Sequence, residues 1–205
     1  MKVYTFGDPA SPAILLLPGT CCHWKGNFGD VIPLLSKQFY VLCVSYDGFD
    51  ETEATTFPTM LAETEKIEVY ITDHCGGHIR AAYGCSLGGA CLTRQLALGE
   101  MPVGRAIIDG GITPYQFPYP LRKLVLARDI MSFNIVAKSR KVLEAAFPPE
   151  RFTLPGHDPV KEYDAMESYL KTYSARTIRN VFWSGNNYAL PDAPAERGTK
   201  IAYWY

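Results

Sequence analysis

The chain has 205 residues, 47% of them hydrophobic and 20% charged, which suits one domain with a sizeable core and excludes a disordered chain, a coiled coil or a collagen-like repeat. Twenty basic residues against 21 acidic ones leave a formal charge of −1. No basic surplus exists to neutralise phosphates, so nucleic acid is not an expected partner. The longest apolar runs, 13–17 and 201–205, fall far short of the ~20 residues of a membrane-spanning helix. Met1-Lys2-Val3-Tyr4 does not open a signal peptide. The cysteines (Cys21, Cys22, Cys43, Cys75, Cys85 and Cys91) cluster in the first 91 residues without disulfide-like spacing. Together these features imply free thiols and a cytoplasmic location.

In chain order, Val3–Phe6 reads as an edge strand, and 13–17 as a strand buried on both faces and stopped by Pro18-Gly19. Apolar spacing predicts a helix over 27–39, a buried strand over 40–45, and a helix from Pro58 to Asp73 broken by Gly76-Gly77. A strand over 79–83, a helix over 86–98 closed by Gly99, and a strand over 105–109 follow. Such alternation implies an α/β fold: a mostly parallel sheet with helices on both faces. Residues 114–178 carry only helical patterns, over 121–131, 132–147 and 158–179, and read as an inserted cap or lid. The core would then comprise 1–113 and 179–205, with a last strand over 199–205.

Gly84-Cys85-Ser86-Leu87-Gly88 matches G-x-S-x-G between a predicted strand and a predicted helix, the context of a nucleophile elbow. By composition alone, roughly 0.06 such matches arise by chance in this chain. Small residues are needed because the turn is sharp; Ser86 is thereby held out at the sheet's carboxyl edge. The amide of Leu87, near the helix N-terminus, faces developing negative charge. The alternative is an ordinary glycine-rich turn with a capping serine. Leu15-Leu16-Leu17-Pro18-Gly19-Thr20-Cys21-Cys22 is a buried strand ending in a Gly-containing loop, placed to supply a second oxyanion-hole amide.

With these motifs the whole chain resembles the α/β-hydrolase fold family. Pro18-Gly19 stands where members carry His-Gly or a similar pair, and the match implies Thr20 or Cys21 as the second amide donor. Family triads run Ser, then Asp or Glu, then His. By the resemblance, the usual acid and histidine positions lie beyond Tyr205. The expectation is therefore of a chain ending short of its base, with esterase activity near background that returns when downstream residues are restored. The apolar strand at 201–205 would offer an unpaired edge for aggregation or a homodimer.

Other candidates carry rival readings. His157, the one histidine after the serine, is either a cap histidine reaching Ser86 as its base or a residue of a turn with a helix start inside the insertion. His23 either lines the pocket or has its tip in water; Trp24 either adds to the acyl pocket or wedges the loop. Asp109, at a strand end, is either a triad acid or a turn aspartate bonded to the amides of Gly110-Gly111. His74-Cys75-Gly76-Gly77-His78 lacks metal-site spacing and belongs on the opposite sheet edge. Cys85 is packed rather than nucleophilic. With Gly19, the aromatic insertion residues Tyr115 and Phe117 complete the expected substrate pocket, whose apolar character favours an acyl or aryl ester. The reading is a serine hydrolase of small apolar esters, thioesters or amides, working through an acyl-Ser86 intermediate without metal or cofactor. The alternatives are a non-catalytic small-ligand binder, or an acyltransferase or lyase on the same scaffold.

Overall fold

The computed structural model describes residues 1–98, 101–111, 116–185, 187, 190 and 198–204. Six strands form one sheet: β1 (Lys2–Phe6), β2 (Ala13–Leu17), β3 (Tyr40–Ser45), β4 (Ile79–Cys85), β5 (Val103–Asp109) and β6 (Lys200–Trp204). Their spatial order is β1-β3-β2-β4-β5-β6. β1 pairs antiparallel with β3, and every other pair is parallel. β2 and β3 are the strands whose apolar runs are unbroken, and 14–17 and 41–45 are buried throughout. Burial on both faces removes the alternation that an exposed face would impose.

α1 (Trp24–Phe28) and α2 (Ile32–Leu35) cover one face of the sheet. There Trp24, Phe28 and Ile32 pack on Ile14, Leu16, Val41 and Cys43. The single helix expected over 27–39 is these two pieces. Gly29 ends the first, and Pro33, which has no amide hydrogen to donate, sits in the first turn of the second. α3 (Met60–Cys75) and α4 (Leu87–Leu98) cover the other face. Thr59 caps α3 by accepting from the Ala62 amide at 3.1 Å, and Gly76 ends it at φ +64°, a conformation that favours glycine.

Between β5 and β6 the described backbone is helical: α5 (Tyr119–Lys138), α6 (Arg140–Ala146), α7 (Pro149–Phe152), α8 (Pro159–Thr172) and α9 (Ala175–Gly185). The break expected at Ser132 is absent, and α5 runs on to Lys138. The stretch 158–179 instead divides at 173–174. Ser174 Oγ accepts the Thr177 amide at 3.0 Å there and starts α9 afresh. α9 straddles the expected boundary at 178 and is fastened to the segment before α3. Asn180 Nδ2 donates to the Phe57 carbonyl at 2.8 Å, and the Met60 amide donates to Ser184 Oγ at 3.3 Å. Among the described residues no helix is long and apolar enough to cross a membrane.

Candidate active site

β4 extends two residues beyond the expected 79–83 and delivers Ser86 at its carboxyl end, with α4 starting at Leu87. Ser86 is exposed and has φ +49°, a left-handed backbone that a side-chain-bearing residue adopts at a cost of ~1–2 kcal/mol. Its amide donates to the Asp109 carbonyl at 2.8 Å, pinning the turn to the end of β5. The flanking glycines are there for space: a Cβ on Gly84 would lie 2.3 Å from the Gly88 carbonyl oxygen, and one on Gly89 2.7 Å from Gly111 Cα. As the first helical residue, Leu87 has an amide with no intrahelical acceptor.

The loop after β2 comes up beside the serine. A Cβ built on Gly19 would sit 3.6 Å from Ser86 Cβ and 3.5 Å from the sulfurs of Cys22 and Cys85. Two amides of this loop are already used: Gly19 N–H donates to Asn27 Oδ1 at 2.9 Å, and Cys22 N–H to the Gly19 carbonyl at 3.3 Å. Those of Thr20 and Cys21 have no acceptor among the described residues. Cys21 has φ +56°, and its carbonyl accepts from Tyr173 Oη at 3.1 Å. The site therefore presents backbone donors and one exposed hydroxyl.

The neighbouring thiols are kept neutral. Burial, then the proximity of Cys85, pushes Cys22 up to about 12. Burial, then the charge of Asp109, raises Cys85 as well. Burial also takes Cys43 and Cys91 to about 12. Alkylation needs the thiolate. Native protein treated with iodoacetamide at pH 8 should leave Cys22, Cys43 and Cys91 unmodified, whereas urea-unfolded protein should be modified at all three; peptide mass mapping checks this.

The histidines are occupied elsewhere. His23 is buried and caps α1: its Nδ1 accepts the Lys25 amide at 3.3 Å, so Nε2 carries the hydrogen and bonds the Glu51 carboxylate. Its ring stacks on Tyr169 of α8, with centroids 4.5 Å apart and 6° between planes. The tip in water expected as one reading is absent. His157 Nδ1 bonds Glu162 at 2.7 Å, and its Nε2 lies 3.7 Å from Asp30. His74, Cys75 and His78 line a cavity at the opposite edge, where β4 and β5 begin. Among the described residues no cluster of three or more His, Cys, Asp or Glu could hold a metal.

Asp109 ends β5 beside Ser86, and its carboxylate accepts from Tyr83 Oη. It is thus not spent on the turn as expected; the Gly110 amide bonds the Trp204 carbonyl instead. Burial, then Asp109, raises the Tyr83 hydroxyl well above its ordinary value. Trp24 is core: it stacks on Tyr4, centroids 4.5 Å apart, between α1 and the sheet. Phe117 is half-buried, and its carbonyl accepts from Arg122 Nε. Tyr115 lies outside the described residues. Sequence reasoning missed Tyr169 and Tyr173, which fasten α8 to the loop after β2. Their spacing from Glu162 and Met166, four, three and four residues in turn, follows one helical face and was the available signal.

No protein-family model matches the sequence, and no curated protein matches it either. Solved structures do. A protein from Desulfitobacterium hafniense described as of the alpha/beta hydrolase family is 13% identical, with a TM-score of 0.71, 99% of this chain covering 90% of that one. A carboxylesterase of Nitrososphaera gargenis is 14% identical, with a TM-score of 0.70, 98% of this chain covering 74% of that one. An enol-lactonase from Burkholderia xenovorans is 14% identical, with a TM-score of 0.64, 98% of this chain covering 86% of that one. The chain has the α/β-hydrolase fold.

Proposed function

We propose that the protein is a serine hydrolase of small esters, thioesters or amides with an apolar acyl group. Ser86 Oγ attacks the carbonyl carbon, and the developing oxyanion is received by the amide of Leu87 together with that of Thr20 or Cys21. The leaving group departs, and water then cleaves the acyl-Ser86 ester. The observation that carries this reading is Ser86 at φ +49°, exposed at the β4–α4 turn, with the Gly19 loop packed against it. An ordinary glycine-rich turn needs neither the strain nor the loop.

Attack also requires a base. Both ring nitrogens of His23 and of His157 face other partners. A serine without its histidine typically loses ~10⁴–10⁶ in rate. Imidazole in the buffer can stand in for the base. p-Nitrophenyl acetate hydrolysis, taken as the rate of this protein minus that of Ser86→Ala, should be small without imidazole and rise with its concentration. A fluorophosphonate probe should label Ser86. Equal rates for both proteins at every imidazole concentration, with no label at Ser86, would overturn the reading. That outcome selects the second reading, a hydrolase-like scaffold that binds a small apolar ligand, which the engagement of both His23 and His157 with other partners favours.

A further inference from the structure

We propose that two copies of this chain pair edge to edge through β6, antiparallel about a two-fold axis at Ala202, so that their sheets become continuous. β6 stands at the end of the sheet, paired with β5 alone among the described residues. All five of its residues are exposed, and Ile201, Tyr203 and Trp204 show 38%, 53% and 53% of their surface. An apolar edge without proline is a template for another strand. The backbone decides which residues can pair. Along a strand, the N–H and C=O of one residue point to the same side, and successive residues alternate. The Trp204 carbonyl accepts from the Gly110 amide, so Trp204 faces β5, and Ala202 and Lys200 face it likewise. Ile201 and Tyr203 therefore turn their amides and carbonyls outward. Antiparallel strands exchange hydrogen bonds in couples, between residues that each face the other strand. Ile201 of one copy opposite Tyr203 of the other meets this condition twice by symmetry. It is also the register that overlaps β6 along its whole length.

The side chains suit that register. Ile201 against Tyr203 is a β-branched and aromatic pair on one face. On the other face Ala202 meets its own copy at the axis, where Cα atoms approach to ~4.5 Å and a small residue fits best. Lys200 lies against Trp204 of the second copy, a cation beside an aromatic ring. Charge runs the same way. Pairing with β5 sets Lys200 beside Arg105 and Trp204 beside Asp109 on this face. Each copy thus has a basic end and an acidic end, and the antiparallel arrangement brings unlike ends together. A parallel pairing would oppose Lys200 to Lys200. About four main-chain hydrogen bonds and three apolar side chains a side fall short of the ~800 Å² per partner of a standard interface. The dimer is therefore weak and forms as protein concentration rises.

Sedimentation equilibrium of the 205-residue chain from ~1 to ~300 µM should show the mass rising from one chain toward two and no further, because each copy spends its one β6 edge. Ile201→Pro removes an amide that β5 does not use, and Ala202→Lys sets two cations face to face at the axis. Both proteins should stay single chains throughout that range, with the parental melt by circular dichroism at low concentration. Should Ile201→Pro disturb β6, Ala202→Lys, at an exposed position, still decides the matter. Two substitutions by cysteine read the register. Ala202→Cys brings its sulfurs within disulfide range across the axis and should cross-link two chains under copper phenanthroline. Ile201→Cys faces Tyr203 instead and should cross-link no more than the parent. A single chain at every concentration, a mass that climbs past two, association undiminished by Ala202→Lys, or equal cross-linking at both positions would overturn the proposal. None of these measurements depends on the chemistry of Ser86.

Discussion

Gly88→Ala is expected to cost about 3–5 kcal/mol of stability, the upper range for overpacking a closed site. The new methyl carbon would lie 2.1 Å from the Leu17 carbonyl oxygen, 2.6 Å from its carbon and 2.8 Å from Leu17 Cβ. Two of those atoms are backbone in β2, which is held between β3 and β4 and cannot retreat. For a chain of this size the melting temperature should fall by about 10 °C or more, measured by circular dichroism. Gly26→Ala is the matched control. Nothing lies within 4 Å of a Cβ there and its φ is not positive, so it should be neutral or stabilising by up to ~1 kcal/mol. A Gly88→Ala protein that melts within a degree or two of the parent would mean that α4 does not approach β2 this closely, and the placement of Ser86 would fall with it.

The same close approach explains why so much of the Ser86 turn is legible in the sequence. Gly84 is forced small within the turn itself, by the Gly88 carbonyl, while Gly88 and Gly89 are forced small by Leu17 of β2 and by Gly111; all three fall within six residues, so the pattern is readable along the chain although two of its causes are distant. β2 and β3 are legible for a related reason: central strands of a parallel sheet are apolar without interruption, and few other short segments are. The split of 27–39 into α1 and α2 turns on Gly29 and Pro33 inside an otherwise helical spacing. Periodicity registers the apolar face and passes over the break. Trp24 escapes a sequence reading because a residue just past an active-site loop can turn either way, and the stack on Tyr4 that buries it comes from the far edge of the sheet.

What stays hidden is whatever depends on long-range register. Asp109 and Tyr83 meet because Tyr83 pairs with Ile107 and Cys85 with Asp109, which puts the carboxylate diagonally across from the phenol on one face. Without that register, Asp109 is an acid beside two glycines, and the turn reading is natural. His23 does line a cavity beside α8, but what holds it there is not local. Its actual partners, Glu51 and Tyr169, come from a loop and a helix that carry no local mark of the contact. The bond from Tyr173 to Cys21 spans 152 positions.

That bond leads to the second large effect. Tyr173→Phe should slow fluorophosphonate labelling of Ser86 by about 10–100-fold, within the ~10²–10³ that removal of a whole oxyanion donor costs. Its hydroxyl is what the Cys21 carbonyl accepts from, and the Tyr173 ring is held edge-on to Phe49 with centroids 4.8 Å apart. The bond therefore ties the peptide after Cys21 to a fixed element. Cys21 has φ +56°, where a side-chain-bearing residue is unfavourable by ~1–2 kcal/mol, and its amide is one of the two candidate oxyanion donors. Removing a hydrogen bond worth ~1 kcal/mol lets the strained residue relax, and the Thr20 and Cys21 amides turn away from Ser86. If this is the mechanism, glycine at position 21 should compensate, because it occupies positive φ without penalty. Tyr173→Phe combined with Cys21→Gly should recover most of the labelling rate. Loss of stability alone predicts no such recovery, since glycine also removes the buried Cys21 side chain from the core. A Tyr173→Phe protein that labels at the parental rate would show that the loop holds its amides without help from α8. A double variant as slow as Tyr173→Phe would place the effect of Tyr173 elsewhere than at the Cys21 backbone.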